Sequence, residues 1–169
     1  MIITDNIFIQ TLIPLLTSHF LADFILQTDE DVKKKQSILI FGKHIIFVTL
    51  FSYLLVGDWG NYIIPAAILF SHTIIDLLKK TFKKDSLIIF STDQAAHYLV
   101  ILVLSFYIQN SAKLECNNLF WYDILGNVYI KAFIIIIAAI LTTKFSSIII
   151  SYIIKPFQAK IFKGENNNK

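Results

Sequence analysis

Histidine and aspartate recur along this chain at the spacing of one helical turn. Asp23 follows His19 by four residues, with Gln27 four further on; Asp76 follows His72 by four; and Asp93 and Gln94 precede His97. The fourth and last histidine is His44. Residues four apart on an α-helix share a face. Neutral imidazole and carboxylate are the ligands that zinc and other first-row divalent ions take. His19, Asp23, His44, His72, Asp76, Asp93 and His97 are therefore read as candidate ligands for one divalent metal, zinc foremost, or for two. Gln27 and Gln94 fall where they could orient those ligands. Paired ions suit the hydrolysis of phosphate esters and amides. In such a reaction Asp93 is expected to serve as a ligand or as the general base for the attacking water. Lys79, seven residues beyond His72, returns near the same face and could meet an anionic headgroup, although a plain loop lysine is the simpler reading. A single His–Asp pair in a bundle is more often a structural hydrogen bond. It is the number of pairs, and their matched spacing, that points to metal. Ser18 and Ser71 each precede a histidine directly and so sit about 100° around the helix from it, which argues against a serine nucleophile.

The elements that must carry these residues are membrane spans. Of 169 residues, 56% are hydrophobic and only 16% charged, where a soluble domain has about 45–50% and about 25%. Mean hydropathy is +0.65. Five apolar stretches stand out: Ile7 to Gln27, Ile38 to Gly57, Tyr62 to Leu78, Leu87 to Gln109, and one within Val128 to Ile154. Each approaches the roughly 20 residues that a 30 Å hydrocarbon core requires. Lys144 interrupts the last, by snorkelling, by facing the bundle, or by marking a shifted or re-entrant segment. The expected fold is all-α, a polytopic bundle of about five transmembrane helices over residues 1–154. A basic tail, 155–169, is expected to lie on the surface and then lose order.

Loop lysines set the orientation. Lys33, Lys34 and Lys35 mark the first loop, Lys79, Lys80, Lys83 and Lys84 the third, and Lys155, Lys160, Lys163 and Lys169 the tail. The second loop, Asp58 to Asn61, has none; the fourth has Lys113 and an aromatic cluster, Phe120, Trp121 and Tyr122, suited to an interface. The positive-inside rule then places the N-terminus outside and the C-terminus in the cytoplasm. All the polar groups inside the spans fall at one depth, near the cytoplasmic side. No cleavable signal is expected, since no basic region precedes the first apolar run. The lone Cys116 cannot form an intramolecular disulfide. The lysines follow loops rather than a patch, so no nucleic-acid partner is expected; the partner is the lipid bilayer.

The histidines also report a duplication. His19 to His72, Asp23 to Asp76 and His44 to His97 are each 53 residues apart, and Ser18 matches Ser71. Helices one and two, about residues 7–57, would thus repeat as helices three and four, about 60–109, in the same membrane orientation. Asp93 breaks the symmetry, because its counterpart is Ile40.

The strings SHFLADFILQTD at 18–29, HTIID at 72–76 and DQAAH at 93–97 resemble a bacterial family of small membrane proteins known only as a domain of unknown function. The resemblance covers roughly residues 10–110. It implies a bacterial or phage-borne inner-membrane protein and carries no established activity. More distantly, the helices with His-x-x-x-Asp look like membrane-bound metal-dependent hydrolases. The leading expectation is a metal-dependent hydrolase of a lipid or other amphiphile at the cytoplasmic leaflet. The alternatives are an ion or proton transporter, and a structural or partner-binding protein stapled by metal. Transporter sites usually lie at the midplane, at broken helices of inverted repeats, which this pattern does not match.

Overall fold

Backbone placed in hydrocarbon must satisfy its own N–H and C=O groups, so each apolar stretch is expected to close into a helix. The computed structural model describes residues 6–28, 30, 37–82, 86–112 and 119–166, with side chains as far as 158. Lys33 to Lys35, Lys83, Lys84, Lys113, Cys116 and Lys169, and the side chains of Lys160 and Lys163, lie outside the described residues. Among the described residues all regular structure is helical: α1 (Ile7–Phe20), running directly into a π-helical turn (Leu21–Leu26), then α2 (Ile38–Val56), α3 (Ile63–Thr81), α4 (Leu87–Ala112), α5 (Phe120–Leu125), α6 (Asn127–Ile140), a second π-helical turn (Leu141–Phe145) and α7 (Ser146–Asn166).

Helices α1 to α4 form a ring. α1 packs against α2 and α4, and α3 packs against the same two helices. Ring contacts Phe8–Phe106 and Phe24–Phe90 set α1 antiparallel to α4. Ser18–Ser52 with Asp23–His44, and His44–His72 with Phe41–Lys80, do the same for α1 with α2 and for α2 with α3. α6 lies across α1, and α7 reaches α4. The core of the ring is Leu15, Val48, Ile64, Ile68, Ile101 and Ile108, each nearly inaccessible.

The 53-residue repeat extends into this packing. Thr11 and Ile64, Leu15 and Ile68, Val48 and Ile101, and Ser52 and Ser105 are offset pairs whose members are all buried. All four buried residues of α3 fall opposite residues of the α1 strand of the repeat that point inward.

Among the described residues four helical stretches are long and apolar enough to cross a membrane: Ile7–Leu26, Ile38–Val56, Leu87–Ser111 and Asn127–Gln158. The expected third span, α3, has the length at 19 residues but carries Asp76, Lys79 and Lys80 at its end, and so falls short by composition. The fifth helix runs straight through Lys144, which sits exposed in the second π-turn rather than facing the bundle. Residues 155–166, expected to leave the membrane and lose order, continue the helix past Pro156 to Asn166.

At the end of the ring away from the lysines, the last turn of α2 is capped by the fourth loop. Trp121 Nε1 donates to the Leu54 carbonyl at 2.7 Å, Tyr129 Oη donates to that of Leu55, and the Phe120 N–H donates to that of Gly57 at 3.2 Å. These bonds satisfy carbonyls that a helix end leaves without partners. The aromatic cluster expected to lie at an interface is thus also a structural cap, with Trp59 against Phe120 and Trp121.

Candidate metal centre

Each ring helix delivers its polar residues from the end nearest Lys43, Lys79 and Lys80. α1 carries His19, its π-turn Asp23, α2 His44, α3 His72 and Asp76, and α4 Asp93, Gln94 and His97. The π-turn closes with the Gln27 N–H on the Ala22 carbonyl at 3.1 Å. Such turns insert one extra residue into a helix. Here that insertion falls between His19 and the end of the first motif, so Asp23 is presented differently from its repeat partner Asp76, which stays in regular α-helix.

All seven candidate ligands converge in one layer, and none is more than 11% exposed. Three overlapping groups each hold their ligand atoms within 4.8 Å of one another: Asp23, His44 and His72; Asp76, Asp93 and His97; and His19, His72 and His97. In the first, His44 Nε2 lies 3.0 Å from His72 Nε2 and 3.5 Å from Asp23 Oδ1, and His72 Nε2 lies 3.6 Å from the same oxygen. In the second, His97 Nε2 is 3.8 Å from Asp76 Oδ1 and 3.7 Å from Asp93 Oδ1. Asp76 joins the two, because its Oδ2 lies 3.6 Å from His44 Nε2.

Most of these separations exceed a hydrogen bond. They match a different geometry: ligand atoms 2.0–2.1 Å from a tetrahedral ion stand roughly 3.4 Å apart. The residues fit a metal on two further grounds. His19 Nδ1, Asp23 Oδ1, Asp93 Oδ1 and His97 Nε2 are buried without a hydrogen-bond partner, where native proteins satisfy about 90% or more of such atoms. Charge points the same way: Asp23, Asp76 and Asp93 with Lys79 leave the layer two net negative charges when the imidazoles are neutral, which a divalent cation would balance.

Gln94 organises the layer. Its Nε2 donates to Asp23 Oδ2 at 3.4 Å and Asp93 Oδ2 at 3.3 Å, while its Oε1 faces His19 Nε2 at 3.2 Å and accepts from Tyr98 Oη at 3.2 Å. With Nε2 donating to Gln94, His19 keeps a lone pair on Nδ1, the form a metal requires. Gln27, the other expected orienting residue, stands at the edge of the layer, its Nε2 buried and without a partner. Lys79, the weaker sequence expectation, turns inward: its ammonium meets Asp93 Oδ2 at 2.6 Å and so is not left for a headgroup. Tyr98, which sequence reasoning passed over, stands one turn after Gln94 and packs edge-on to His19 at 5.6 Å between ring centres. Its spacing from Gln94 was the only signal available.

Residues 11–125 match a family described as protein of unknown function (DUF3307). The chain belongs to this family. The matched region runs from α1 through α5 and contains every residue of the polar layer, whereas α6 and α7 lie beyond it. No curated protein and no solved structure matches the chain.

Proposed function

We propose that this DUF3307 protein is a metal-dependent membrane hydrolase acting on a lipid or other amphiphile. One observation carries the reading: seven His and Asp side chains from four helices meet in a buried layer at the mutual spacing of metal ligands, with ligand atoms left over. Asp23, His44 and His72 would hold one ion, and Asp76, Asp93 and His97 a second, with His19 shared at the boundary and the two oxygens of Asp76 serving both sides. Zinc suits this donor set of imidazole and carboxylate. Bound there, the metal would supply Lewis acidity and a nucleophilic water at neutral pH. The chain's own residues do the rest. Gln94, braced by Tyr98, fixes the tautomer of His19, the surrounding helices exclude bulk water, and Asp93, within reach of both His97 and Lys79, serves as a ligand of the second ion or, where it stays unligated, as the general base. By the positive-inside rule the lysine-rich end of the ring would face the cytoplasm of a bacterial inner membrane, with the N-terminus outside and the layer near the cytoplasmic leaflet. On this reading residues 1–154 would make up the membrane domain and 155–169 its basic tail.

Turnover tests this directly. Protein reconstituted in nanodiscs with a panel of fluorescent phospholipids should hydrolyse at least one in the presence of zinc. EDTA should abolish that turnover, and Asp93→Asn should lower it by roughly 10²–10⁴-fold. Hydrolysis indifferent to both EDTA and Asp93→Asn would overturn the assignment.

A further inference from the structure

The two halves of the ring differ at the depth of the polar layer; the larger apolar groove between α3 and α4, lined by Ile63, Ala67, Leu99, Val103 and Tyr107, lies toward the other end of the ring. Between the π-turn and α2 a narrow cleft, with room for one water (about 10 Å³), opens at the outer surface of the bundle and reaches His44, walled by Leu26, Ile40 and Phe47. Lys43 stands exposed at this cleft, its ammonium 5.8 Å from the centre of the Phe47 ring. Gln27 lines the same cleft, and its buried Nε2 has no acceptor. A cation beside an unsatisfied donor favours an oxyanion.

The repeat supplies the comparison. Moving 53 residues along the chain carries Leu26 to Lys79, Ile40 to Asp93 and Lys43 to Ala96. Two of the three apolar walls of the cleft, Leu26 and Ile40, therefore correspond to the partners of the 2.6 Å ion pair. In the second half that pair bolts α3 to α4 where the first half is open, and the position of the cation at the cleft is an alanine. The asymmetry first noticed at Asp93 and Ile40 thus leaves one side of the layer apolar and basic and locks the other.

We propose that an amphiphile with an anionic, phosphate-type headgroup enters the metal layer sideways from the membrane, through the cleft between the π-turn and α2. Its acyl part lies along Leu26, Ile40 and Phe47, as suits groups already in contact with lipid. Its headgroup is held by Lys43 and Gln27 against His44. Lys43 and Gln27 are positioning residues and Ile40 sets the width of the passage. This rests on the metal-centre reading and adds to it the substrate's charge and route.

The test uses the full chain, zinc-loaded and purified in detergent, with three probes: dioctanoyl phosphatidylglycerol, dioctanoyl phosphatidylcholine and inorganic phosphate. Phosphatidylglycerol should bind roughly tenfold more tightly than phosphatidylcholine, the scale of one charge-assisted contact. Inorganic phosphate, without a tail, should bind more weakly than phosphatidylglycerol. Lys43→Ala, an exposed change that leaves the packing alone, should erase the preference, and Lys43→Arg should restore it. Both variants should hold as much zinc as wild type. Equal affinity for the two lipids, a preference that survives Lys43→Ala, or phosphate binding as tight as the lipid would each overturn the proposal. Metal bound without a lipid preference would sink the cleft alone. A lipid preference in protein that binds no metal would support the cleft and sink the metal reading instead.

Discussion

At the scale of residues, the layer is held by a competition between its own charges. Lys79 meets Asp93 at 2.6 Å, and the lysine side chain is 29% exposed while that of Asp93 is almost fully buried. Removing one partner of a buried pair leaves the other charge without compensation, at a cost of several kcal/mol when both are buried and less here because Lys79 is partly hydrated. Lys79→Met should therefore lower the thermal stability of the metal-free protein. Zinc should recover more of that loss than it adds to wild type, since the ion takes over the role of the ammonium. Thermal unfolding in detergent with and without zinc checks this, and equal zinc-induced shifts in the two proteins would contradict it. The convergence of these His and Asp side chains was legible in the sequence because ionisable groups inside apolar helices turn to the interior of a bundle. The pairing of Lys79 with Asp93 was not, because a lysine at the end of a helix looks the same whether it turns to water or back into the bundle. Gln94 was expected beside the ligands. Its contacts with His19, Asp23, Asp93 and Tyr98 at once could only emerge from the packing of α1 on α4.

At the scale of elements, apolar length and charge placed the first four helices within a few residues of their observed ends. Two features escaped. The π-turn at Leu21–Leu26 has no proline or glycine to mark it, and nothing in LADFIL distinguishes it from a regular helix. The continuation of α7 beyond Pro156 escaped because proline removes one helical hydrogen bond without forcing the helix to end. The cap on α2 is a more rigid device. Gly57 stands in the left-handed region at φ 73°, and a Cβ there would come within 2.8 Å of Trp121 Cδ1. Gly57→Ala should therefore destabilise the protein by about 1–3 kcal/mol, through backbone strain and the displaced indole together. A loss of thermal stability with zinc content unchanged is the expected result, because the cap lies at the opposite end of α2 from His44. A neutral substitution would show that the Trp121 contact carries no weight.

At the scale of the whole molecule, the repeat turns four marginal features into one site. Offsets of 53 residues at three positions predicted that helices one and two repeat as helices three and four, and the buried pairs Leu15 with Ile68 and Val48 with Ile101 extend the duplication into the core. The duplication leaves open what the fifth helix does. α6 covers α1 but no described helix covers the corresponding side of α3, and the family match ends before α6 begins. The outer surface of α3, with Phe70, Ile74 and Leu77 exposed, is suited to lipid. The central claim is that this ring is built around metal. Elemental analysis of the detergent-purified chain, after equilibration with zinc and removal of excess, measures it. Wild type should carry stoichiometric zinc. His72→Ala, which removes a ligand from two of the three groups, should lose at least the ion assigned to Asp23, His44 and His72, while Lys43→Ala should lose none. Wild-type protein that returns without metal, or His72→Ala that retains the full amount, would contradict the assignment of this layer.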